Sequence, residues 1–247
     1  MKFSTIEQKN KEFHAPTWMY VIVGVIIASV FVVASLHITF NMVYRYYPVS
    51  GTSMQPTINE QWNVEGDVAD GVYVNLFNKG QRGDVVVIEK ATYDPVKSKW
   101  IDVIKRIIAV GGDKIAICPV LEIGPKAYKL LVIYNGETDP TPLEEAYLSE
   151  QNKKSGNYET YKKLYNSYMP SNQDNFELIN GVWYLVVPEG KVFYLGDNRL
   201  ASKDCSEYGP MAEDKVVGKV DIIIRNEADF LPQILDFFGQ QIVKLFV

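Results

Sequence analysis

The chain has 247 residues, of which 47% are hydrophobic and 22% charged. This excludes a disordered or low-complexity chain and leaves room for one large domain or two small ones. A net charge of −5 gives no reason to expect a nucleic-acid partner. Both histidines, His14 and His37, precede residue 41, so the rest of the chain cannot build its own Ser-His-Asp, Cys-His or histidine-ligated zinc site.

Residues 18–40 form an apolar run without Asp, Glu, Lys or Arg. At about 1.5 Å per residue it is long enough for a hydrocarbon core of roughly 30 Å. A cleavable signal peptide has a core of only about 7–15 residues and a small-x-small end. Leu36-His37-Ile38 spoils that end, so a permanent anchor is the better reading. Lys2, Lys9 and Lys11 precede the run, and by the positive-inside rule residues 1–17 are cytoplasmic. Arg45 on the far side weakens this bias without reversing it. Residues 41–229 are then expected as an extracytoplasmic domain beside the bilayer.

After Pro48 the pattern turns to short β-branched runs. Strands are predicted at 72–76, 84–89, 103–108, 127–134, 182–187, 191–195 and 216–225, separated by Gly- and Pro-bearing turns. The domain is therefore read as mainly antiparallel β. Residues 149–176, rich in Asn, Lys, Ser and Tyr, read as an exposed excursion, either a loop or a small helix-bearing insert. In residues 230–247, Leu231, Leu235, Phe238, Ile242 and Leu245 share one helical face. That tail reads either as a helix on the membrane surface or as a segment packed on the domain. Cys118 and Cys205 are both expected to be free.

Three segments carry residues capable of chemistry. In Gly51-Thr52-Ser53-Met54-Gln55-Pro56-Thr57 a serine lies on a turn constrained by Gly51 and Pro56. Taken alone it reads equally well as a polar linker. In Asp102–Ile108, alternation puts Lys105 on one face with Val103 and Ile107. A lysine so placed either snorkels to water or is desolvated, which lowers its pKa and lets it act as a base near neutrality. Gly196-Asp197-Asn198-Arg199, with Ser202, Asp204 and Cys205, forms a polar loop after a strand, able to position an amine or to remain a surface loop.

In this order, after an N-terminal anchor, these segments resemble the bacterial type I signal peptidases, membrane-bound serine proteases with a Ser-Lys dyad. Gly51–Thr57 is similar to the family's nucleophile box and Gly83–Val87 to a structural strand box. Lys105–Asp113 is similar to the general-base box, and Gly196–Asp204 to the last box. The resemblance runs from the anchor to about Gly218. It implies an N-terminal transmembrane helix followed by an antiparallel all-β catalytic domain with a small insert, here residues 117–182. It implies Ser53 as nucleophile and Lys105 as general base, with the Ser53 backbone N–H as one oxyanion donor. Ser202 would orient the lysine amine, and Asp197 and Asp204 would hold the loop. No metal or cofactor is implied. The implied partners are preprotein signal peptides with small residues at positions −1 and −3, bound as an extended strand beside a sheet edge, and the lipid bilayer.

Two departures stand out. Gly51 occupies the position where some relatives carry a hydroxyl as second oxyanion donor, and Thr52 and Ser50 are the available substitutes. Ser206 occupies the position of the family arginine that partners the aspartate, so either Arg199 compensates or the loop is held otherwise. A place for Cys205 near the site implies sensitivity to bulky thiol reagents. Among rivals, a sortase-like transpeptidase needs a histidine that residues 41–247 lack. An anchored, non-catalytic β domain that binds a partner is the reading from a different class, and the four ordered boxes disfavour it.

Overall fold

A computed structural model describes residues 16–60, 69–95, 98–120 and 127–225. The basic residues before the anchor and the tail 230–247 lie outside the described residues. The chain divides after Val43 into two units. The first carries helix α1, Thr17–Val43. Its 27 residues rise about 40 Å, enough to cross a membrane of roughly 30 Å apolar thickness. None of its side chains is buried by protein, so its apolar surface is left open along its whole length.

Among its described residues the second unit has twelve strands. These are β1 Tyr44–Pro48, β2 Gly71–Asn75, β3 Val85–Asp94, β4 Lys99–Val110, β5 Lys114–Pro119 and β6 Tyr128–Ile133. They continue with β7 Thr141–Pro142, β8 Phe176–Ile179, β9 Val182–Val186, β10 Lys191–Leu195, β11 Met211–Ala212 and β12 Val216–Ile224. A seven-stranded sheet runs in the order β1-β2-β12-β3-β4-β10-β11. A five-stranded sheet, β7-β6-β5-β9-β8, is made from the chain between Lys114 and Val186. Every pairing is antiparallel. The β-rich character read from the sequence is the observed one. Strands β1, β5, β7, β8 and β11 escaped notice: β1 and β8 are short and carry charged residues, β7 and β11 have two residues each, and β5 is a four-residue apolar run between Lys114 and Pro119.

The main core joins both sheets: Val86, Ile88, Ile107 and Phe193 come from the larger, and Ile115, Leu130 and Leu185 from the smaller. A second cluster, Val49, Met54, Ile58, Val72, Val74 and Val87, lies under the turn that carries Ser53.

The segment expected as an exposed excursion carries the helix of the helix-bearing alternative but is not simply exposed. Residues 152–168 form a continuous helical stretch in which wide π turns flank one α turn. Leu164 on it is fully buried in the main core, and Asn152, Asn157 and Thr160 are buried as well. Their polar composition disguised this, because buried amides are tolerated only where hydrogen bonds await them. Asn157 Nδ2 donates to Tyr128 O at 3.1 Å and to Glu145 Oε2 at 3.0 Å. A short helix, α2, Cys205–Tyr208, closes the last polar loop.

Candidate active site

Ser53 sits in an irregular turn after β1, and the turn is held from below and behind. Met54 and Ile58 anchor it in the second core cluster, and Ile58 N donates to Met54 O. Asn59 and Asp70 exchange reciprocal hydrogen bonds of 2.6 and 2.7 Å, while Asn59 Nδ2 donates to Gly51 O at 3.0 Å. Gly51 has φ of +99°, a backbone conformation that a side chain would strain. Among the described residues the Ser53 backbone N–H has no hydrogen-bond acceptor.

Lys105 lies in β4 opposite Val86 of β3 and is 3% exposed. Its Nζ stands 2.8 Å from Ser53 Oγ and donates to Ile104 O at 2.9 Å. Burial pushes its pKa down from 10.5 to about 8, against the opposing charges of Asp204 and Asp197 and a smaller contribution from Cys205. The alternation that put Lys105 on an apolar face thus holds, and the side chain is desolvated rather than snorkelling.

The loop after β10 meets both residues. Asn198 N donates to Ser53 O at 3.0 Å and Asn198 Nδ2 to Thr52 O at 3.1 Å. Asp197 is fully buried and bound in two-pronged fashion by Arg106, Nε to Oδ1 at 2.9 Å and NH2 to Oδ2 at 2.6 Å. It also accepts from Thr57 Oγ1 at 2.5 Å. Arg106 follows Lys105 in β4 and so faces the other way, tying the lysine strand, the serine turn and the last loop at one carboxylate. Gly196 fits where nothing larger would: a Cβ there would lie 2.3 Å from Ser202 Oγ and 2.5 Å from Ser53 O.

The departures noted in the sequence resolve as follows. Asp204 accepts from Gly196 N at 3.0 Å, Ser206 Oγ at 2.7 Å and Ser206 N at 3.2 Å, and caps α2. Ser206 itself therefore supplies the donors that an arginine would have brought. Arg199 makes no hydrogen bond to Asp204 and acts on it only through its charge: its guanidinium bonds Glu145, Asn157 Oδ1 and Gly196 O. Ser202 is buried, but its hydroxyl has no hydrogen-bond partner, so the expected bond to Lys105 is not made here. Cys118 and Cys205 are both free. Cys205 is fully buried, and burial raises its thiol pKa strongly. That corrects the expected sensitivity to thiol reagents, because an inaccessible protonated thiol is a poor nucleophile.

Beside Ser53 and Lys105 opens a groove of about 200 Å³. One wall is Tyr47–Gly51 and the other is Ile101–Lys105, with Met54 and Val87 also lining it. β4 pairs with β10 only from Arg106 onward. On that side, residues 101–105 have no backbone partner among the described residues, so the groove is bounded by an open sheet edge. Ser50 lines the groove and Thr52 does not.

Sequence reasoning missed Arg106, Thr57, Asn198, Asn59 and Asp70 as holders of the site. Alternation in β4 was the one available signal for Arg106, since a residue next to a buried lysine must face the opposite layer. The partner of Arg199, Glu145, sits 54 positions away and left no local trace.

The family model described as signal peptidase, peptidase S26, matches residues 19–225. A signal peptidase IB of Staphylococcus aureus is 32% identical over 204 residues, 78% of this chain and 83% of that protein. A signal peptidase I of Bacillus caldolyticus is 28% identical over 226 residues, 86% of this chain and 92% of that protein. A solved signal peptidase I from Enterococcus faecalis V583 covers 57% of this chain and 96% of its own, at 21% identity and a TM-score of 0.33.

Proposed function

Because the chain belongs to the signal peptidase family, peptidase S26, we propose that it is anchored in the bilayer by α1 and removes signal peptides from exported preproteins through a Ser53–Lys105 dyad. The family relation makes it a serine peptidase hydrolase acting on signal peptides. The observation that carries the dyad is the 2.8 Å approach of Lys105 Nζ to Ser53 Oγ in a nearly dry setting.

The chemistry follows from that contact. Neutral Lys105 accepts the Ser53 proton as Oγ attacks the scissile carbonyl. The unclaimed Ser53 N–H faces the developing oxyanion. Ser50, on the groove wall, is the better placed of the two candidate second donors. Lys105 returns its proton to the leaving amine, and water then hydrolyses the acyl-enzyme with the lysine again as base. Asp197 and Asp204 hold the loop, and the unpartnered Ser202 hydroxyl is the group available to orient the amine. The substrate lies as an extended strand against residues 101–105. Its −1 and −3 side chains meet the shallow apolar lining of Val49, Met54, Val87 and Ile104, which suits alanine-sized groups.

The lysines before α1 favour a cytoplasmic N-terminus and an extracytoplasmic catalytic unit. The test is cleavage of a model preprotein by the full chain in vesicles. Ser53→Ala and Lys105→Ala should each abolish cleavage, and undiminished cleavage by either would overturn the dyad.

A further inference from the structure

Beyond the residues of the dyad and its loop, a buried network rises from the smaller sheet's side of the unit to the active site. Glu145 and Tyr147 lie in the segment between β7 and residues 152–168. Tyr147 lays its ring on the Arg106 guanidinium, 3.9 Å from carbon to ring centroid. Its hydroxyl donates to Glu145 Oε1 at 3.2 Å. Glu145 in turn pairs with Arg199, which is 1% exposed. Arg199 Nε donates to Gly196 O at 3.0 Å, the glycine whose N–H is held by Asp204.

The two buried arginine–carboxylate pairs, Arg106–Asp197 and Arg199–Glu145, are thus not separate. Tyr147 covers one and is bonded to the other. Arg106 is the neighbour of Lys105, and Gly196 and Asp197 immediately precede Asn198, whose N–H donates to Ser53 O. A guanidinium covered by an aromatic face and held by two carboxylate oxygens has little freedom to turn. A buried ion pair is seldom retained for stability alone, since apolar packing does as well, but it does fix geometry.

We propose that Tyr147 and Glu145 are positioning residues of the reaction, through which the insert holds Lys105 and the Gly196–Asp204 loop in catalytic register. The inference rests on the Ser53–Lys105 reading. None of the network's residues lines the groove, so peptide binding and chemistry should respond differently to its loss.

The experiment uses the full chain in detergent micelles, with steady-state cleavage of a preprotein-derived peptide at a temperature where circular dichroism shows every variant folded. Tyr147→Leu, which removes the ring, should lower kcat about 10- to 100-fold, the scale of a sub-ångström misplacement, with KM nearly unchanged. Tyr147→Phe keeps the ring and should retain kcat within about threefold, the loss of one long hydrogen bond. Glu145→Gln should follow Tyr147→Leu. Val132→Ala, a cavity at a fully buried position of β6, is the comparison: it should lower Tm and leave kcat alone. Wild-type kcat in Tyr147→Leu, or equal loss in the Phe and Leu variants, would overturn the inference while leaving the dyad intact. Ser53→Ala and Lys105→Ala run alongside, and cleavage surviving in either would overturn the dyad and the positioning role with it.

Discussion

The Ser206 hydroxyl stands 2.7 Å from Asp204 Oδ1, and the Ser206 N–H points at the same oxygen from 3.2 Å. A residue two positions along the chain therefore neutralises nothing yet satisfies the carboxylate. Ser206→Ala should cost about 1–2 kcal/mol through the lost hydroxyl bond, read as a lower Tm. Ser206→Arg should cost more, because the position is 1% exposed and already packed. A rise in Tm on introducing the arginine would show that Asp204 was under-satisfied.

The acid limb of activity should belong to Lys105. Burial lowers its pKa to about 8, so kcat/KM should fall about tenfold per unit of pH below that point and level off above it. Asp204 opposes the shift by favouring the ammonium. Asp204→Asn should therefore move the midpoint below about 8. A profile flat from pH 5 to 9, or a midpoint that moves upward in this variant, would contradict the assignment.

The same lysine makes a stability prediction of definite sign. Its folded pKa lies below its unfolded value of 10.5, so the unfolded chain holds the proton over a range where the folded one has lost it. The contribution is a penalty of about 3 kcal/mol, complete below pH 8 and relieved between 8 and 10.5. Lys105→Met should accordingly unfold at a higher denaturant midpoint at pH 7, with the difference shrinking toward pH 10.5.

Breaking the Arg106–Asp197 pair from one side should be severe. Arg106→Met leaves a fully buried carboxylate without its guanidinium and should cost about 3–5 kcal/mol. Arg106→Met combined with Asp197→Asn should cost less than the sum of the two single changes. Additive losses in chemical denaturation would mean the pair is not coupled.

The two thiols should differ in reach. Cys118 is partly exposed and Cys205 fully buried. Native protein should react with one equivalent of a maleimide, at Cys118, and with a second only in denaturant. Early modification of Cys205, located by peptide mass spectrometry, would contradict the packing of α2.

The parts of this molecule legible in the sequence are those set by local pattern. The apolar run of α1 and the β-branched strands announce themselves, since periodicity is local. Lys105 was readable because its own strand neighbours dictate its face. What escaped was set by partners far along the chain. Arg199 offered itself as a substitute for a missing arginine near Asp204, yet it turns toward Glu145 across the insert. The helical stretch 152–168 looked solvated because its buried face carries amides as well as Leu164. Polar residues read as exposed until the acceptors waiting for them are known.

The open edge of β4 at residues 101–105 has one more consequence. Main-chain hydrogen bonding does not depend on side-chain identity, so such an edge has affinity for any segment of free backbone. A folded domain has committed most of its N–H and C=O groups and offers few such segments beyond its sheet edges. The edge is therefore a filter for conformation before it is one for sequence. In the proposed binding mode it would admit the unstructured stretch around a cleavage site and pass over the mature protein beyond it. Its shortness, with charged Asp102 within it, also gives a second copy of the chain little to pair with.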